Sequence, residues 1–213
     1  MTISVASYKG GCGKTTTSIH LAAYLAKHAG PTLLVDADPN RQSTFWASFG
    51  KLPFPVVSEL EAVRMAGNYE HLVFDTKARV ERQEVDSINR ASDLIIIPCP
   101  PDTLAAHAAL QLTDALAAMG SSKFRVLITM VPHDSYREQC EAMLKEKAMP
   151  YFRSWVRRLV AFQKAAGSGD LVQNVDDDRA SNAWEGYRDL GKEIERLYFR
   201  HDEQTKVRKE ARA

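Results

Sequence analysis

The 213-residue chain contains no apolar run near the roughly 18 to 20 residues that a bilayer-spanning helix needs. Its opening segment TISVAS lacks the basic flank and small-residue cleavage site of a secretion signal, so a cytoplasmic protein is expected. Cysteine is scarce: Cys12, Cys99 and Cys140 stand far apart with no C-x-x-C pair, which argues against a zinc site or disulfide framework and fits reduced thiols used in packing. Neither sign of charge is in excess, because 28 Lys and Arg oppose 27 Asp and Glu. A polyanionic partner would therefore have to be held by a local patch.

What is present is ordinary for a globular protein: 45% hydrophobic and 26% charged residues, with a mean hydropathy of −0.31. A chain of this length supports one compact domain, expected over 1–200. In residues 201–213 Val207 is the only large aliphatic side chain, so this stretch reads as a charged, flexible tail.

Residues 2–7 alternate as a strand, run into KGGCGKTT, and pass into a helical pattern through Ile19, Leu21, Leu25 and Ala26. Apolar runs at 32–35, 71–74 and 94–97 have the length of buried strands and end in Asp36, Asp75 and Pro98; 124–129 makes another. Helices are expected at 102–119, with Leu104, Ala108, Leu112 and Leu116 on one face, at 135–147, and from about 181 onward. This alternation predicts an α/β, doubly wound, mostly parallel sheet flanked by helices, which binds ligands beyond the carboxyl ends of its strands.

KGGCGKTT between a strand and a helix is a phosphate loop. Gly10, Gly11 and Gly13 permit the sharp turn that aims backbone N–H groups, Cys12 included, at a polyphosphate on the helix N-terminus. Lys14 reaches the β and γ phosphates in this reading, Thr15 places a hydroxyl on Mg2+, and Thr16 donates from the first helical turn. Tyr8 stands where the usual pattern has its first glycine, with Lys9 next to it. The segment thus resembles the deviant Walker A motif of the ParA/MinD family, P-loop NTPases of the SIMIBI class. The resemblance implies ATP hydrolysis and a homodimer formed on ATP binding, in which Lys9 crosses to the partner's phosphates.

VDADPN resembles the family's D-x-D-P motif. It implies that Asp38 orients or activates the attacking water, and that Asp36 serves the magnesium shell or a structural role. HLVFD resembles a Walker B strand, with Asp75 implied as a magnesium residue. The following DTKAR departs from the family's D-T-P-[PA]-G, leaving Lys77 and Arg79 as added charge near the γ phosphate or as solvated loop residues, the second being favoured. PCPPD resembles the family's I-P-x-x-P segment and implies a nucleotide contact at Pro100. Thr129 and Met130 stand where an asparagine often contacts the base. No N-K-x-D guanine-reading motif is visible, so ATP is expected.

The resemblance runs over nearly the whole chain except the tail. It implies nonspecific DNA binding by a late basic surface, with Arg153, Arg157, Arg158, Lys164, Lys192 and Arg196 as candidates. Asp176, Asp177, Asp178, Glu193 and Glu195 interleave with them, so a solvated mixed surface stays open as the other reading. Further implied are nucleoid association in the ATP state and a ParB-like or other cargo adaptor, the cargo being a plasmid, a chromosome region or a protein compartment such as a carboxysome. A MinD-like membrane role competes, but the tail offers no apolar helical face, so no direct membrane insertion is expected. An ATP-dependent ligase of the dethiobiotin synthetase type and an iron-protein-like reductase sharing a cluster through Cys99 and Cys140 remain as further alternatives.

Overall fold

The computed structural model describes residues 1–199, so the stretch 201–213 lies outside the described residues. Seven strands form one sheet: β1 (Thr2–Val5), β2 (Thr32–Ala37), β3 (Val56–Ser58), β4 (His71–Thr76), β5 (Leu94–Cys99), β6 (Phe124–Val131) and β7 (Tyr151–Arg157). Their order is β3-β2-β4-β1-β5-β6-β7, and every neighbouring pair is parallel. Parallel neighbours require crossovers. These are supplied by α1 (Lys14–His28), α2 (Gln42–Ala47), α3 (Glu59–Met65), α4 (Arg82–Ala91), α5 (Thr103–Ala118) and α6 (Asp134–Glu146), after which α7 (Ala161–Ser168) and α8 (Ala180–Ile194) follow β7.

Strand residues alternate between two cores because successive side chains point to opposite faces. Leu94 and Ile96 of β5 pack with Ile19, Leu21, Tyr187 and Leu190 of α1 and α8. Ile95 and Ile97 pack with Leu112 and Leu116 of α5 and Leu144 of α6. The sheet is thus covered on both faces, which is why its strands read as continuous apolar runs.

Two strands escaped the sequence reading. β3 has only three residues, and β7 carries the basic side chains that made it read as surface. In β7, Phe152 and Val156 point into the core while Arg153 and Arg157 alternate outward. In helix α5 the expected face holds at Leu112 and Leu116, while its first half shifts by one residue. Leu104 is 73% exposed, and Ala105, Ala109, Leu112 and Leu116 form the buried stripe. Asp102 sets that phase by capping α5, accepting from the Ala105 N–H at 2.9 Å. Among the described residues no helix is long and apolar enough to cross a membrane.

Candidate nucleotide-binding site

The glycine loop leaves β1 and enters α1 at the carboxyl edge of the sheet. Gly11 (φ 73) and Gly13 (φ 90) adopt left-handed backbone that a side chain would strain. Gly13 is also the N-cap of α1 and no side chain caps that helix, so its first N–H groups face the loop. Three bonds tie the loop down. The Lys9 N–H donates to Ser7 Oγ at 3.0 Å, Cys12 Sγ reaches the Lys9 carbonyl at 3.3 Å, and Thr129 Oγ1 donates to the Cys12 carbonyl at 2.9 Å.

Beside the loop lies a cavity of about 270 Å³ bordered by Lys14, Thr15, Thr16, Asp38 and Gln42. Lys14 is buried, and its ammonium donates to one carbonyl, Ala78 O, at 3.3 Å. Beyond that long bond to a neutral acceptor, Lys14 has a weak attraction to the Asp75 charge, so it is only partly compensated and the cavity favours an anion.

Asp36 and Asp75 are register partners on adjacent strands, but they serve different purposes. Asp36 accepts from Thr44 N–H (2.8 Å), Thr44 Oγ1 (2.7 Å) and Asp38 N–H (3.2 Å), which holds α2 and the turn into Asp38. Asp75 accepts from Ser18 Oγ at 3.2 Å and Ser43 Oγ at 2.7 Å. Burial pushes its carboxyl up to about 6, hydroxyls of Ser43 and Thr15 pull it back, and the Asp36 charge adds to the rise. Asp38 is buried at the cavity edge, with one oxygen accepting from Asn40 N–H and Asn40 Nδ2, both at 2.9 Å.

These residues fit a magnesium ion. Thr15 at the cavity and Asp75, reached by the Thr15 hydroxyl, supply hard oxygen atoms, the raised Asp75 carboxyl marks a buried charge that a cation would relieve, and Asp36 is engaged by Thr44 instead. No cluster of three or more His, Cys, Asp or Glu is arranged to hold a metal among the described residues. Magnesium needs few protein ligands when substrate phosphates supply the rest.

Through Gly11, Gly13, Thr16 and Met130 the cavity opens into a groove of about 670 Å³, walled by Pro100, Pro101, Pro132 and Phe162. That volume suits a small ligand. Thr129 lies at this groove, but its hydroxyl already serves the loop. Lys9 lies at the rim, its ammonium donating to both oxygens of Asp102 at 2.8 and 3.0 Å. This pairing spans 93 positions and left no signal in the sequence. Lys77 sits between Glu81 (3.1 Å) and Glu84 (2.8 Å), and Arg79 is exposed, while the backbone of this same loop meets Lys14.

His20 is a further residue that sequence reasoning missed. Fully buried on α1, it meets the Thr16 carbonyl through Nδ1 at 2.7 Å and accepts from Val172 N–H through Nε2 at 3.0 Å. Its ring stacks on Tyr187 at 5.0 Å. This ties the phosphate-loop helix to the segment entering α8. Burial holds its pKa down at about 4, against a smaller upward pull from the Thr16 carbonyl.

The six candidate DNA residues do not form one positive face. Arg153, Arg157, Lys192 and Arg196 border an open groove of about 700 Å³ between β7 and α8, together with Glu185, Asp189, Glu193 and Glu195. Arg157 stacks over Trp155 at 4.6 Å and pairs with Asp134 at 3.3 Å. Arg158 borders the groove beside the phosphate cavity, and Lys164 pairs with Asp177 at 3.0 Å. Cys99 and Cys140 are buried within one core, where neither thiol is placed to share a cluster with a second subunit.

Residues 3–172 match the model of the CobQ/CobB/MinD/ParA nucleotide binding domain. The chain is 32% identical over 203 residues to the maintenance of carboxysome distribution protein A of Gloeobacter kilaueensis, covering 91% of this chain and 94% of that one. Among solved structures, the MinD cell division protein of Aquifex aeolicus matches with a TM-score of 0.71 and 16% identity over 89% of this chain and 95% of that one. An ATP complex of Cyanothece McdA matches with a TM-score of 0.66 and 16% identity over 88% and 95%. At that identity, both structures speak to the fold alone.

Proposed function

The chain belongs to the CobQ/CobB/MinD/ParA nucleotide-binding family, and from that premise we propose that it is a ParA-like ATPase whose ATP-bound homodimer positions a cargo. The observation that carries this reading is Lys14, a buried ammonium with one 3.3 Å carbonyl partner beside an open cavity that also meets Thr15 and Asp38.

In this reading Lys14 and the loop N–H groups bind the β and γ phosphates of ATP. Thr15 and Asp75 hold Mg2+, which when bound neutralises phosphate charge. Asp36 stands behind them, keeping α2 and the Asp38 turn in place. Asp38, fixed through Asn40, presents its other oxygen to orient the attacking water. Lys9 leaves Asp102 and crosses to the phosphates of a second subunit. A transferred cation of this kind in related chemistry contributes on the order of 10³ to 10⁵ in rate.

Similarity to a carboxysome-distribution protein supports a large protein compartment as cargo, engaged through an adaptor that stimulates hydrolysis. Nonspecific DNA is the proposed track, held by Arg153, Lys192 and Arg196 in the ATP state. The test is solution mass and DNA binding with ADP and with ATP, for the wild type and Asp38→Ala. Asp38→Ala should cut hydrolysis by roughly 10² to 10⁴ and accumulate as an ATP-bound dimer. Wild-type hydrolysis in that variant would remove Asp38 from its role. ATP-dependent DNA binding should weaken with salt, with a slope near −0.9 per phosphate contact.

A further inference from the structure

The groove that continues from the phosphate cavity has apolar walls suited to a flat ring, and few of its polar side chains are available to read one. Lys9 and Asp102 are bound to each other. Arg157 is held by Asp134 and Trp155, and the Thr129 hydroxyl serves the Cys12 carbonyl. Met130 offers only a thioether, Arg158 carries donors alone, Tyr187 shares its hydroxyl with Thr17, and Thr16 and Tyr136 each bring a single hydroxyl rather than a planar donor and acceptor pair.

Gln163 differs from all of these. On α7 and the turn before it, Leu159, Phe162, Gln163 and Ala166 all border the groove, the i, i+3, i+4, i+7 spacing of one helical face. Gln163 is the single polar member of that stripe. Its backbone N–H donates to the Val160 carbonyl at 2.8 Å, and its carboxamide makes no hydrogen bond among the described residues. Among the described residues it is the only carboxamide bordering the groove, and it brings a donor and an acceptor on one planar group.

We propose that Gln163 reads the base of the bound nucleotide. The inference rests on the nucleotide-site reading above and extends it to base selection. Facing adenine, Oε1 accepts from the exocyclic amine and Nε2 donates to the adjacent ring nitrogen. A glutamate at this position offers two acceptors and no donor. It opposes the lone pair of that adenine nitrogen and matches the ring N–H and exocyclic amine of guanine.

The experiment measures Mg-ATP and Mg-GTP dissociation constants by calorimetry for the wild type, Gln163→Glu and Gln163→Ala. The position is exposed, so both variants are expected to fold. Gln163→Glu should shift the GTP-to-ATP affinity ratio toward GTP by a factor of about 5 to 150, the range for one bidentate base contact. Gln163→Ala should weaken ATP at least about 5-fold. The added glutamate charge repels both triphosphates alike and cancels in the ratio. An unchanged ratio in Gln163→Glu, or ATP affinity unmoved in Gln163→Ala, overturns the proposal while leaving the nucleotide site intact. If the wild type binds neither nucleotide, the site reading fails and the base assignment falls with it.

Discussion

At the phosphate cavity one ammonium and a few carboxylates are buried, each fixed by one to three named partners. In the groove between β7 and α8 four exposed bases face Glu185, Asp189 and Glu195 near solvent, with Glu193 buried beneath them. The contrast lies in dielectric. Where water is excluded, a partly compensated charge costs enough that its presence points to a ligand. Where water is present, opposite charges at similar density are worth about 0 to 1 kcal/mol per pair and single out no partner.

Three substitutions test that contrast. The largest effect is expected at Lys14. Lys14→Ala should weaken ATP by about 2 to 5 kcal/mol, roughly 30- to several-thousand-fold by calorimetry, because it leaves the phosphates without their buried partner. The same change should alter the urea stability of the nucleotide-free chain little, since it removes a desolvated charge together with only a weak attraction to Asp75. A large loss of nucleotide-free stability would mean that Lys14 is structural.

His20 comes next. Its folded pKa of about 4 lies below the ordinary 6.5, so the fold prefers the neutral ring. That preference is complete above pH 6.5 and is lost as pH falls through about 4, a contribution of about 3 kcal/mol. Asp75 acts in the opposite sense. With its carboxyl raised to about 6, its charge costs stability at neutral pH, and protonation relieves that cost on acidification. The two trends oppose each other in the wild type. The expected result is therefore in the difference: in His20→Gln the acid-side loss disappears and urea stability rises between pH 6.5 and 4 as Asp75 protonates. Parallel pH profiles for variant and wild type would contradict the assignment.

The smallest effect belongs to the buried acid beneath the open groove. Glu193 of α8 accepts from the Arg153 and Ser154 N–H groups, both at 2.9 Å, and from Ser154 Oγ at 2.7 Å, occupying donors of the edge strand β7. Glu193→Ala should cost about 1 to 3 kcal/mol in urea unfolding and leave ATP affinity unchanged, with Gln recovering part of the loss. If ATP affinity fell as well, the two regions would be coupled and the contrast would be false.

The central strands and the phosphate loop were legible because their signals are local. Apolar runs declare strands buried on two faces, and the loop's lysine and glycines must keep a fixed spacing. The carboxylates were partly legible. Asp36 and Asp75 look alike at strand ends, and only the third dimension shows Asp36 turned to Thr44 while Asp75 faces Ser18 and Ser43. The roles of His20, Asp102 and Glu193 depend on partners 152, 93 and 40 positions away, beyond any periodicity argument. β7 was hidden because its outward arginines obscured the alternation of Phe152 and Val156.

The buried Lys14 also bears on how long the chain survives in a cell. A fold that keeps a partly compensated ammonium and a desolvated carboxyl at its centre gains margin from mass action on binding, about 2.7 kcal/mol when ligand stands at 100 times its dissociation constant. For a chain of this size that corresponds to roughly 5 to 10 °C of melting temperature. Starved of triphosphate, the same molecule would open more often to proteases, so its abundance would follow the energy state of the cell before any cargo is moved.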